Sequence, residues 1–154
     1  MSLRPLPSLF SVAIAALALS ATGAQPADTR PVATLTIRVV DLRNHNGDLI
    51  FGVFDQPKGF PSVKENSVNW QVKPASANVV EFTAKLAPGR YAASVLHDEN
   101  RNGKMDRDAV GIPLEGYGVT NNPKPRLRAA TFNQALFELP PNGATLTISI
   151  QYFH

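Results

Sequence analysis

Thr145-Leu146-Thr147-Ile148-Ser149-Ile150-Gln151-Tyr152 alternates a polar with an apolar residue at every step. Successive side chains of a strand point to opposite faces, so this period of two predicts a β-strand with one wet face and one buried face. Leu146, Ile148 and Ile150 are its expected core residues. Working outward, Leu35, Ile37 and Val39 alternate with Thr36, Arg38 and Val40, and Val80, Phe82 and Ala84 alternate with Val79, Glu81 and Thr83. Further strand-like runs cover residues 48–55, 68–72 and 91–97. Asn44-His45-Asn46-Gly47 reads as a hairpin turn returning the first strand into 48–55, with His45 a solvated turn residue. Leu86-Ala87-Pro88-Gly89-Arg90-Tyr91 has the proline and glycine of a type II turn, which predicts that 91–97 runs back antiparallel to 79–86. Residues 130–139 fit a strand or a short helix, and 111–118 reads as a loop with one brief extended piece. Phe60, in Lys58-Gly59-Phe60-Pro61, is expected to plug one end of a core. The sum is an all-β chain, an antiparallel β-sandwich of transthyretin or immunoglobulin type folded as a single domain over residues 33–154.

The N-terminus carries Arg4, an apolar run over residues 9–19 and the small residues Ser20-Ala21-Thr22-Gly23-Ala24. This is the pattern of a secretory signal peptide spanning 1–24, followed by a short disordered leader over 25–32. The run is shorter than the roughly 20 apolar residues needed to cross about 30 Å of hydrocarbon, so no transmembrane segment is expected. The mature chain is expected to be exported, to the periplasm or the medium. The sequence contains no cysteine, which leaves neither a disulfide framework nor a lipid-attachment thiol. Cleavage after Ala24 leaves 130 residues and a formal charge near +2, because Arg4 is the only charged residue removed from the total of +3. Lys124, Arg126 and Arg128 form the nearest thing to a basic stripe, on a proline-bearing loop, and this is too sparse for nucleic acid binding.

The chemistry-bearing segment is His97-Asp98-Glu99-Asn100-Arg101-Asn102-Gly103-Lys104-Met105-Asp106. Counting from Asp98, oxygen-bearing side chains stand at positions one, three, five and nine (Asp98, Asn100, Asn102, Asp106), with glycine at six and the Lys104 carbonyl at seven. That spacing suits a calcium loop, in which alternate side chains converge and glycine makes the sharp turn. Position twelve is Ala109, not the bidentate glutamate of a helical calcium hand, so Asp108 or Glu115 would have to complete the shell. The nearby Arg101, Lys104 and Arg107 predict weak affinity, on the order of 10⁻⁴ to 10⁻³ M. A metal-free turn held by its own side-chain to backbone hydrogen bonds explains the same composition. Both readings stand at this point.

These motifs, with Gly111-Ile112-Pro113-Leu114-Glu115-Gly116-Tyr117-Gly118 and Asn121-Asn122, resemble an exported bacterial family known as domain of unknown function 2141. The similarity runs over about 35–152, and it implies a compact β-sandwich without an assigned activity. After Asn122 the chain carries Pro123-Lys124-Pro125-Arg126-Leu127-Arg128 where glycine and proline are usual in the family. The Leu-x-Pro-Gly-x-Tyr turn also resembles transthyretin-like hydrolases, but their C-terminal Tyr-Arg-Gly-Ser is replaced here by Gln151-Tyr152-Phe153-His154. That resemblance therefore carries no activity across.

His45, His97 and His154 are the only histidines, and their scatter offers neither a zinc spacing nor a base beside a nucleophile. His97 is expected to be a hydrogen-bonded residue at the end of the core. The leading expectation is a non-catalytic exported module that meets a protein or cell-envelope partner, with a calcium site of Asp98, Asn100, Asn102, Lys104, Asp106 and Asp108 in the 98–108 loop. The alternative is a small-ligand or carbohydrate binder using loops 58–61 and 111–122, where Phe60, Trp70 and Tyr117 would stack on a sugar. An exposed aromatic row favours the binder, and buried aromatics favour the module.

Overall fold

The computed structural model describes residues 31–124 and 128–153. The expected signal peptide, all of the leader but its last two residues, Arg126 and His154 lie outside that set. Eight strands follow one another: β1 (Ala33–Val40), β2 (Asp48–Phe54), β3 (Asn69–Pro74), β4 (Val80–Leu86), β5 (Gly89–Asp98), β6 (Gly116–Val119), β7 (Leu136–Leu139) and β8 (Ala144–Ser149). A four-residue helix, α1 (Phe132–Ala135), leads into β7, so the ambiguous 130–139 segment holds a helical turn and a strand in succession. Thr131 caps α1, its hydroxyl accepting from the Gln134 N–H while the Gln134 side chain accepts from the Thr131 N–H.

The strands form two sheets, one ordered β4-β1-β8 and the other β3-β2-β5-β6, with β7 pairing the first half of β5 and β6 the second half. The sheets face each other across Leu35, Ile37, Val39, Phe82 and Ile148 on one side and Leu49, Phe51, Val53, Ala93 and Val95 on the other, all essentially excluded from water. Phe51 and Phe82 stack across the gap with ring centroids 4.8 Å apart, a contact that adds to simple burial. This is the expected sandwich. One pairing departs from the antiparallel rule, because the last strand lies parallel to the first, Ile37 opposite Leu146 and Val39 opposite Ile148.

Both expected hairpins prove to be crossings between sheets. β1 pairs only β4 and β8, and β2 pairs β3 and β5, so the Asn44–Gly47 turn carries the chain from one layer to the other. The Leu86–Tyr91 turn does the same between β4 and β5. Burial explains the second case. β4 alternates buried and exposed residues and sits at an edge, whereas β5 is buried without interruption from Tyr91 to Val95 and needs cover on both faces and neighbours on both sides.

β6 explains two glycines in the segment read mainly as loop. The end of the chain crosses so near that a Cβ on Gly116 would stand 2.2 Å from the Tyr152 ring, and one on Gly118 would stand 2.5 Å from Ile148 Cγ2. Leu146 is only half-buried, while Ile148 and Ile150 fill the core as expected.

Truncating Ile148 to alanine removes a wholly buried branched side chain between the two sheets. Denaturant unfolding is expected to show a loss of about 2 to 5 kcal/mol. A loss below about 0.5 kcal/mol would place β8 outside the core.

Candidate functional site

Strand alternation divides the end of β5 between two environments. His97 faces the core and is fully buried, while Asp98 faces the opposite side of the sheet and is 2 % exposed. The His97 Nε2 lies 2.8 Å from the Asn46 carbonyl, which can only accept, so Nε2 carries the hydrogen. In the neutral ring Nδ1 then accepts from the Tyr152 hydroxyl at 2.6 Å, and that hydroxyl oxygen accepts the Arg43 backbone N–H at 3.2 Å. His97 is thus the expected hydrogen-bonded residue at the end of the core, and its partners tie β5, the 41–47 turn and Tyr152 together.

Asp98 opens the long loop. Its Oδ1 accepts the Asn102 N–H at 3.1 Å, and its Oδ2 accepts the Gly103 N–H at 2.7 Å. Gly103 has φ +78°, a left-handed value that suits glycine and closes the turn. Asn100 Oδ1 accepts the Asn102 N–H at 3.0 Å, and Asn102 Oδ1 accepts the Lys104 N–H at 3.0 Å. The amide nitrogens of both asparagines donate to one atom, Asp106 Oδ2, at 2.5 and 2.7 Å. Four expected ligand side chains, Asp98, Asn100, Asn102 and Asp106, therefore gather within one loop.

Asp108 is also held by loop N–H groups. Its Oδ1 accepts from Val110 and Ile112 N–H at 3.0 and 2.8 Å, organising a second turn. Among the described residues no three His, Asp or Glu side chains form a group that could hold a metal, so an ion here depends on amide and main-chain oxygens.

Three further residues contribute, of which Glu115 was expected only as a possible completion of a metal shell, while the roles of Glu99 and Arg43 carried no distinct sequence signal. Glu115, 4 % exposed, accepts the Glu99 N–H at 2.9 Å with Oε1 and the Asp106 N–H at 3.1 Å with Oε2, bracing the two ends of the loop. Burial pushes its carboxyl above the usual range, and the charges of Asp98 and Asp106 push the same way against those two hydrogen bonds. Glu99 is gripped by Arg43 through Nε at 2.8 Å and Nη2 at 2.5 Å, and Asn44 donates to it at 2.7 Å. Arg43 also donates to the Leu114 carbonyl at 3.0 Å and lies 4.6 Å over the Tyr152 ring. The partners stand 56 and 109 residues apart, so no local pattern could pair them.

The outer face of the larger sheet carries a second feature. One end is closed by Phe60 and Phe132, which pack edge-on in a row with Phe54, over Ala92, Val119 and Ala135. Phe60 is therefore the expected plug. The remainder is a groove of about 400 Å³ floored by Ile50, Ser94 and Leu96 and flanked by the half-buried Trp70 and Tyr117. Two of the three expected stacking residues thus share one cavity, and the third does not line it.

A family model described as "Uncharacterized protein conserved in bacteria (DUF2141)" matches residues 37–147. The chain belongs to this family. In this DUF2141 chain the match takes in the whole 98–115 loop and every strand of the larger sheet. No curated protein and no solved structure matches the chain.

The hydrogen bond from Arg43 is the largest cause holding the Glu99 carboxyl below its ordinary 4.5, with Asn44 and nearby positive charge adding and burial opposing. A lowered folded-state value means that Glu99 contributes fully above about 4.5 and loses its contribution as pH falls through the lowered value. Glu115 has the opposite sign, contributing below 4.5 and losing that as pH rises through its raised value. Glu99→Gln is expected to cost about 1 kcal/mol at neutral pH, and the gap from wild type should close on acidification below pH 4. A gap that stays constant down to pH 2 would contradict the ion-pair role.

Proposed function

We propose that the chain is a non-catalytic β-sandwich module, exported to the periplasm or the medium, that meets a protein or envelope partner and whose 98–108 loop takes up calcium weakly. The observation that carries the calcium reading is the gathering of Asn100 and Asn102 on Asp106 Oδ2, beside a buried Asp98 carboxylate that shapes the same turn. The donors are all hard oxygens: two carboxylates, two amides and the Lys104 carbonyl. They suit an ion that takes six to eight such ligands. Arg43 pairs with Glu99 and Arg101 with Asp48, while Asp98 and Asp106 accept N–H groups of the loop itself. Bound calcium would replace the amide hydrogen bonds to Asp106. Asp108 is left out of the proposed ligand set, because its carboxylate organises the 108–112 turn.

The non-catalytic reading is supported by the state of the described histidines. Both ring nitrogens of the buried His97 are engaged, and His45 is exposed and bonded to Asn78 Oδ1 at 3.0 Å. The hydroxyl beside His97 is that of Tyr152, which donates to the ring and accepts the Arg43 N–H. Export is supported by the sequence of residues 1–24.

The test uses the mature chain recovered after export, expected to begin near Gln25; material beginning at Met1 would contradict export. At about 10 mM calcium, a site of 10⁻⁴ to 10⁻³ M affinity should add about 1.4 to 2.7 kcal/mol by mass action, seen as a melting temperature several degrees higher. Asp98→Ala and the shape-conserving Asp106→Asn should lose that increment. Equal melting of the wild type in calcium and in chelator would contradict the site and leave the self-bonded turn as the account.

A further inference from the structure

The groove on the outer face of the larger sheet combines an unusually flat wall with an unbalanced charge. A Cβ on Gly52 would stand 3.0 Å from the Trp70 ring, so glycine at that register allows the indole to lie down over the middle of β2. Ile50 and Leu96, paired across β2 and β5, extend this apolar floor toward Tyr117 on β6. The Ser94 hydroxyl is already used, donating to the Pro61 carbonyl at 2.7 Å and fastening the 58–61 loop as one rim.

The other rim is the back of the 98–115 loop. Asp106 turns toward Asn100 and Asn102, and the residues around it in sequence, Lys104, Met105 and Arg107, line the groove. Lys104 and Arg107 are the only charged residues lining it, no carboxylate does, and neither cation makes an ion pair among the described residues. Arg107 gives one N–H to the Gly111 carbonyl at 2.9 Å, which leaves most of its five donors available, and its charge reaches the Tyr117 hydroxyl. A volume of about 400 Å³ suits a small molecule, since ligand sites run from roughly 300 Å³ upward.

We propose that this groove binds a small ring compound bearing a carboxylate, the flat face of the ring against Trp70 and the carboxylate at Arg107 and Lys104. The floor supplies dispersion and burial for a ring, and among the described residues the Lys104 and Arg107 rim supplies the complementary charge. A neutral ring would leave the two cations unused, and a cationic one would meet them as like charges. The proposal does not depend on calcium, because both cations line the groove in the structure as described.

Trp70 is the only tryptophan in the chain, so its fluorescence and its indole N–H resonance report on the groove directly. The full mature chain is titrated, in calcium and in chelator, with benzoate and glucuronate and with their neutral counterparts benzyl alcohol and methyl glucoside. The first pair identifies an aromatic ring, and the second a sugar ring. At least one carboxylate should give a saturable shift of the Trp70 signals, about three- to tenfold tighter than its neutral counterpart. Lys104→Gln combined with Arg107→Gln should abolish that preference while the melting temperature is kept. Saturable shifts of equal strength for carboxylate and neutral ring, a preference that survives the double substitution, or no saturable shift with any probe would each overturn the proposal.

Discussion

Two buried carboxylates, Asp98 and Glu115, accept four main-chain N–H groups between them, and the rest of the functional face depends on this. Their donors are Asn102 and Gly103 for Asp98, and Glu99 and Asp106 for Glu115. A loop leaving the end of a central strand has no ladder to satisfy its backbone, and a buried N–H without a partner costs about 1 to 3 kcal/mol. The carboxylates give four loop N–H groups a partner and fix the path of the chain from β5 back to β6. From that path follow the placing of Glu99 against Arg43, which holds the 41–47 turn, and the presentation of Met105 and Arg107 at the groove.

The loop and the groove are two sides of one segment. Within residues 104–107, Asp106 turns into the hydrogen-bonded interior of the loop, while Lys104, Met105 and Arg107 line the groove on the outer face of the sheet. A change in what Asp106 binds therefore acts on a segment that also forms a rim. The opposite rim is held independently, by Ser94 on the Pro61 carbonyl and by the Phe54, Phe60 and Phe132 row. One wall is thus built on apolar packing and the other on polar contacts.

Alternation made β1, β4 and β8 legible from the sequence, because in each one face is more deeply buried than the other. Connectivity was less legible. Asn46-Gly47 and Pro88-Gly89 announce that the chain reverses, but turn chemistry is the same whether the next strand lands in the same sheet or across the core. The unbroken burial of Tyr91–Val95 was the available sign that β5 belongs at the centre of a covered sheet. Gly116 and Gly118 looked like loop residues because their reason, the close passage of Ile148, Ile150 and Tyr152, lies more than 25 residues away. In the candidate site, the spacing of Asp98, Asn100, Asn102 and Asp106 was readable, since a single loop brings them together. Glu115 was named only as one possible completion of a metal shell, and its role as a brace depends on tertiary structure.

Amide hydrogen exchange measured by NMR on the metal-free mature chain tests the dependence on the two carboxylates most directly. The Glu99, Asn102, Gly103 and Asp106 amides are expected to be protected well beyond that of the exposed Ala109 in the same loop, and Glu115→Gln should speed exchange at Glu99 and Asp106 first. Exchange at all four amides as fast as at Ala109 would contradict the account.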